Sequence, residues 1–185
     1  MSGIVGNEFM PDRLFFAAVP DSDTAARIYR LAEILKRARE FEGEIIGPER
    51  LHVTLFFLDR WRGLREHIVR TACEAAAEVR MKPFEVSFDR TSSFRGRTGN
   101  HPFVLLGDNG LSRLRSFRQT LGAAMMRNSL RRQVNANFTP HVTLLYDTRN
   151  VEEQPIEPIV WTVSEFVLIH SMHGHAHLAR WPLRG

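Results

Sequence analysis

The chain has 185 residues, is 43% hydrophobic and 25% charged, and carries a formal net charge of +4. That is enough chain to bury a substantial core in one domain spanning 1–185, and the balance is that of an ordinary globule, not of a disordered or low-complexity segment. The longest apolar runs fall far short of the ~20 residues of a membrane-spanning helix, and residues 1–13 lack the basic-then-apolar pattern of a secretory signal, so a cytoplasmic protein with no membrane association is expected.

In chain order, RLFFAAVP (13–20) is a short apolar run closed by proline and reads as a buried strand. Asp21, Ser22 and Asp23 offer capping oxygens, and Ile28, Leu31, Leu35 and Ala38 recur at helical spacing to about residue 41. After the breakers Gly43, Gly47 and Pro48 comes LHVTLFFL (51–58), a strand by its β-branched and aromatic content. Leu64, Ile68, Ala72, Ala75 and Val79 mark a second helix, ended by Lys82-Pro83, with the single cysteine Cys73 as a small apolar filler. FEVSF (84–88) alternates as a half-buried strand, 91–100 is a loop, and 103–106 is a strand. Leu111, Leu114, Phe117, Leu121 and Met125 define a third helix, and 127–137 is a basic loop or an edge strand. Residues 141–146 form a strand, 147–158 a loop, and 161–170 and 175–183 the last two strands. Strands outnumber helices and look antiparallel, with helices to one side, which is the α+β pattern.

The informative feature is a repeat. LHVTLFF (51–57) and PHVTLLY (140–146) share His-Val-Thr-Leu, with the histidines 89 residues apart, close to half the chain. At ~5% usage per residue type, a given tetrapeptide recurs by chance in such a chain roughly once in a thousand. Two pseudo-symmetric lobes, each with an antiparallel sheet and outer helices, explain the repeat. On a strand, His52 and Thr54 project to one face while Val53 and Leu55 enter the core, and His141 and Thr143 do the same opposite Val142 and Leu144.

If both pairs face one cleft, two imidazoles and two hydroxyls surround one bound group. Histidine titrates near neutrality, so one ring can accept a proton while the other donates one. Hydrolysis of a phosphodiester without metal or other cofactor requires that pair. The threonine hydroxyls can donate to non-bridging phosphate oxygens.

These paired H-x-T-hydrophobic strands resemble the 2H phosphoesterase superfamily. RLFFAAVP, LHVTLFFL, FTPHVTLL and the closing FVLIHS…LARWPL are similar, within it, to the RNA 2′,3′-cyclic phosphodiesterases, also called 2′-5′ RNA ligases, over nearly the whole chain. The resemblance implies a bilobal fold with the active-site cleft between the sheets, and opening of an RNA 2′,3′-cyclic phosphate, or a cyclic nucleotide, to a 2′-phosphomonoester by a monomer. It implies His52 as proton donor and His141 as acceptor, although the pseudo-symmetry of the sequence assigns neither role. Ligation is the same chemistry in reverse, and a non-catalytic nucleotide- or RNA-binding module on the same fold is the alternative. The chain departs from the family after the second motif, where Tyr146 stands in place of a basic residue and could stack on a base. It departs again in the last strand, where His173–His177 replaces a tyrosine neighbourhood.

Other candidates have bland readings beside the functional ones. His170, His173, His175 and His177 could hold a metal, but the run contains no acidic or cysteine partner, and a polar strand face serves as well. Of the 25 Lys and Arg residues only Lys36 and Lys82 are lysines. Arg131 and Arg132, with Arg127, Arg95 and Arg97, could grip an RNA backbone or simply be solvated. Phe94 and Trp61 could stack on a base or belong to the core.

Overall fold

The computed structural model describes residues 12–61, 63–96 and 99–185, so Arg97 and most of the segment read for a secretory signal lie outside the described residues. The opening apolar run forms β1 (Asp12–Ala18). The Asp21 carboxylate then accepts the backbone N–H of Thr24 at 2.9 Å and starts α1 (Ser22–Arg39). Glu40 closes this helix in the left-handed conformation, φ 54°, and returns its N–H to the Lys36 and Arg37 carbonyls. A 3₁₀ turn at 48–50 leads into β2 (Val53–Trp61). α2 (Glu66–Ala77) follows and ends well before Lys82-Pro83.

The second half begins with β3 (Phe84–Ser93) and β4 (His101–Leu106). α3 (Ser112–Arg127) buries Leu114, Phe117, Leu121 and Met125. β5 (Val142–Asp147), β6 (Gln154–Val163), β7 (Glu165–Ser171) and β8 (His175–Pro182) complete the chain.

The strands make two four-stranded antiparallel sheets, ordered β2-β1-β7-β8 and β5-β4-β3-β6. The chain starts in the first sheet, builds the whole second sheet, and returns to complete the first. β2 and β5, which follow the two histidines, are matching edge strands. Inner sheet faces and helices share one continuous core that includes Phe16, Phe88, Phe103, Phe117 and Phe166. A smaller cluster of Phe15, Ala17, Val167 and Ile169 lies on the other face of the first sheet.

Several elements differ from the sequence reading, each for a long-range reason. The expected strand 161–170 is two strands, because the chain leaves the second sheet at Ser164 and enters the first. Residues 91–93 extend β3, and 154–158 belong to β6, not to loops. β6 tolerates Pro155 and Pro158 because it is an edge strand with only β3 as partner. Residues 127–137 hold the helix end, a loop and a 3₁₀ turn at 131–133, not an edge strand. Among the described residues no helix is long and apolar enough to cross a membrane.

Both motif strands slip register at the same place. The β1–β2 ladder pairs Ala17 with Thr54 and then Phe16 with Phe56, passing over Leu55. The β4–β5 ladder pairs Val104 with Thr143 and then Phe103 with Leu145, passing over Leu144. A skipped residue leaves its carbonyl outside the ladder and inverts the alternation beyond it. Each freed carbonyl finds a donor: Leu55 O accepts Arg118 Nε–H at 2.8 Å, and Leu144 O accepts the Ile46 N–H at 2.7 Å. Arg118 is buried, its guanidinium lying between the Phe56 and Phe138 rings at 4.1 and 4.5 Å.

The Ile46 contact belongs to a larger junction. Ile45 bridges to Leu145, and the Asp147 carboxylate accepts the N–H groups of Glu42, Gly43 and Arg149 at 2.7, 2.8 and 2.9 Å. Gly43 is needed there because a Cβ would stand 1.8 Å from the Tyr146 carbonyl oxygen. Burial works against ionisation of Asp147, but the three N–H donors outweigh it and hold its pKa below the usual carboxylate value. Asp147→Ala is expected to cost on the order of 2–4 kcal/mol in urea unfolding, because it leaves several donors unpaired. The wild-type advantage should be full above about pH 4, the unfolded pKa, and shrink as pH falls through the lower folded value. An unchanged unfolding midpoint at pH 7 would contradict this account.

Candidate active site

His52 and His141 immediately precede β2 and β5, and each is oriented by its own backbone. The Nδ1 of His52 lies 2.7 Å from the Arg50 carbonyl and the Nδ1 of His141 lies 2.7 Å from the Thr139 carbonyl. A carbonyl only accepts, so Nδ1 carries the proton in both rings and Nε2 is the free position. The same bond to residue i−2 in each half gives the two imidazoles one tautomer.

Both rings open into one cavity of about 200 Å³, lined by Arg13, Phe15, Ile46, Arg50, His52, Thr54, Phe57, His141, Thr143, Tyr146 and His175. The two lobes therefore bring His52, Thr54, His141 and Thr143 together. The register slips explain two further members. With Leu55 and Leu144 passed over, Phe57 and Tyr146, each five residues after its histidine, turn to the cleft face with Thr54 and Thr143. They are 42% and 45% exposed, high for aromatic side chains on strands, and both line the cavity.

The electrostatics are one-sided. Among the described residues Arg13 and Arg50 line the cavity and no carboxylate does, and Arg50 Nε is buried without a hydrogen-bond partner. Burial pushes the His52 pKa down to about 4; the Arg50 carbonyl opposes this, and the charges of His141, Arg13 and Arg50 add to it. Burial also lowers the His141 pKa, with the Thr139 carbonyl opposing. Near neutrality the cleft thus presents two Nε2 lone pairs inside a positive field, an arrangement that favours an anion.

The model of the 2′-5′ RNA ligase superfamily matches residues 14–175, most of the chain. The chain belongs to that superfamily, the 2H phosphoesterases. No curated protein matches it by sequence. Among solved structures, E. coli LigT complexed with 3′-AMP is 26% identical, covering 95% of this chain and 99% of that one, with a TM-score of 0.66. LigT complexed with phosphate is also 26% identical over the same shares, with a TM-score of 0.64. A Thermus thermophilus protein, 21% identical over 94% of this chain and 98% of its own, shares the fold at a TM-score of 0.67.

Within this 2H phosphoesterase the remaining candidates scatter. Arg131 and Arg132 sit exposed on their 3₁₀ turn and are not among the cavity-lining residues. Arg127 pairs with Glu78 on the surface, and Arg95 is exposed on the loop after β3. Trp61 lies under the Arg65 guanidinium, 3.0 Å from the ring centroid, while Phe94 meets His141 edge-on at 4.9 Å. The histidine run does not converge. His170 is buried with Nε2 3.2 Å from the Asp12 carboxylate, His173 is exposed, and His177 contacts Arg180. Among the described residues no three metal-ligating side chains form a group that could hold an ion. Only His175 of that run lines the cavity.

Sequence reasoning passed over Arg13, Arg50 and Phe57. Phe57 had a signal, since the repeat extends from HVTL to an aromatic residue at the fifth position after each histidine. Arg13 had only its alternation with Phe15 on β1, and Arg50 only its place two residues before His52. We expect ring ¹⁵N shifts at pH 7.5 to show neutral, Nδ1-protonated rings for both His52 and His141. An Nε2-protonated tautomer at either would contradict the orientation by the carbonyls of Arg50 and Thr139.

Proposed function

We propose that this chain opens the 2′,3′-cyclic phosphate end of RNA, or of a cyclic nucleotide, to a 2′-phosphomonoester. The observation that carries the reading is the pair of identically oriented imidazoles, each beside a threonine hydroxyl, in a cavity that the described residues line with two arginines and no carboxylate. Complexes of E. coli LigT with 3′-AMP and with phosphate support a nucleotide phosphate as the ligand class. Both motifs come from one chain, which supports a reading in which a single copy is the working unit.

In this mechanism His141 Nε2 takes a proton from water as its oxygen attacks phosphorus. The bond from phosphorus to the 3′ oxygen breaks, and His52 Nε2–H protonates that oxygen, leaving a 3′ hydroxyl and a 2′-phosphate. Thr54 and Thr143 donate to the non-bridging oxygens, where charge accumulates in the transition state, and Arg13 and Arg50 supply the compensating field. Phe57 and Tyr146 offer aromatic faces to a base at the opening. An RNA 5′ hydroxyl in place of water gives 2′-5′ ligation through the same groups; bulk water makes hydrolysis the default direction.

Each of His52→Ala and His141→Ala is expected to lower turnover of a 2′,3′-cyclic mononucleotide by roughly 10²–10⁴-fold, with thermal melts intact and EDTA without effect. Retained turnover in either variant rejects the mechanism. Absence of turnover in the wild type, with salt-sensitive RNA binding preserved, would favour a binding module on the same cleft.

The depressed histidine pKa values fix a pH signature. The acid form of one imidazole is required and becomes scarcer as pH rises above its pKa, so kcat/KM, which reports the free enzyme, should peak below about pH 6.5, the ordinary histidine value. The bound phosphate anion raises the same pKa values, so the kcat optimum should lie at higher pH. Coincident profiles of kcat and kcat/KM would argue against an anion-dependent acid.

A further inference from the structure

His175 breaks the two-fold pattern of the cleft. The ring edge-on to His141 is Phe94, a hydrocarbon, whereas the ring edge-on to His52 is His175, with centroids 5.0 Å apart and planes at 69°. His175 also meets Phe15 edge-on at 5.7 Å, and Phe15 lies against His52 at 5.0 Å, so the three rings brace one another. A phenyl ring would pack as well in this place and bury no polar atom. His175 instead buries an Nδ1 that has no hydrogen-bond partner among the described residues, a cost that packing does not repay.

Among the described residues the groups facing His175 are Arg13 on β1, Arg50 in the turn before β2, His52, and His177 on its own strand, and no carboxylate lines the cavity. Burial first, and then these positive neighbours, push its pKa down to about 4, so the ring is neutral near pH 7. A neutral imidazole holds one proton, and a sealed Nδ1 without an acceptor is a poor place for it, since orphaned buried N–H groups are rarer than orphaned acceptors. The proton belongs on Nε2, at the other side of a ring that forms part of the cavity wall.

We propose that His175 is a third histidine of the active site, whose Nε2–H donates an uncharged hydrogen bond to a non-bridging oxygen of the bound phosphate ester. The assignment rests on the phosphoester reading above. In their neutral forms His52 and His141 each present a lone pair, and His175 presents the complementary donor. Being neutral, it binds the phosphate oxygen without adding the positive charge that would make protonation of its neighbour His52 harder. A phenol or an amide could donate likewise, but the imidazole also supplies the flat edge that holds the His52 ring against Phe15.

Two measurements on the full chain test this. In the wild type, ¹⁵N shifts at pH 7.5 should show His175 protonated on Nε2, and inorganic phosphate should perturb that signal. His175→Phe keeps the packing and removes the donor, and is expected to weaken phosphate binding and lower kcat on a 2′,3′-cyclic mononucleotide, each by about 10–100-fold. His175→Gln, which restores an N–H donor, should recover both to within about tenfold of wild type. His175→Phe, which removes the orphaned Nδ1 and keeps the packing, should melt no lower than the wild type.

A His175→Phe variant with wild-type phosphate affinity and kcat would overturn the assignment, as would an Nδ1-protonated ring or a His175 signal unmoved by saturating phosphate. The two readings fail separately. If phosphate binding follows residue 175 but the wild type opens no cyclic phosphate, the hydrolase reading falls and the third histidine stands. If turnover is robust and indifferent to residue 175, the reverse holds.

Discussion

Two strands in different sheets must be held at a fixed separation for their histidines to share one cavity, and the junction between Glu42–Ile46 and the end of β5 is what holds them. Ile45 bridges Leu145, Ile46 donates to the freed carbonyl of Leu144, and Asp147 gathers the N–H groups of Glu42 and Gly43. The segment anchored in this way leads within a few residues to Arg50 and His52. The first motif is therefore positioned by backbone hydrogen bonds to the strand that carries the second. Because these bonds are directional and partly buried, a small shift leaves donors unpaired, which makes the junction stiff.

From that constraint the chemistry of the cleft follows. Two desolvated imidazoles and two arginines, with no carboxylate among the described residues lining the cleft, make a site that resists protonation. Burial is the main cause of the depressed histidine pKa values, and at His52 the positive charges of Arg13 and Arg50 add to it, the same field that favours an anion in the cleft. An anion in the cleft and a proton on either imidazole are thermodynamically linked, each favouring the other.

The two-fold relation is close in the backbone and looser in the side chains. Both halves repeat the i−2 carbonyl bond, the threonine two residues on, the skipped leucine and the outward aromatic residue at the fifth position. They differ in what satisfies the freed carbonyl, Arg118 in one half and Ile46 in the other, and in the ring beside each histidine. Under the proposed mechanism, any asymmetry between an acid and a base has to come from these neighbours, not from the motif strands.

The amino-acid sequence alone determined the helices, most strands, the core positions and the paired His-Val-Thr-Leu motifs. All of these are written in local periodicity and in a repeat that needs no partner to be seen. Only the tertiary structure decided that the apolar run through Ser164 divides between two sheets, because that depends on which strands pair on either side, not on hydropathy. It likewise decided that Leu55 and Leu144 drop out of their ladders, turning Phe57 and Tyr146 into the cleft, since register is set by cross-strand partners distant in sequence. The convergence of Arg13, Arg50 and His175 on one cavity, and the exposure of Arg131 and Arg132 away from it, belong to the same class: proximity across sheets is a property of the packed chain, and no spacing along it records which side chains will meet.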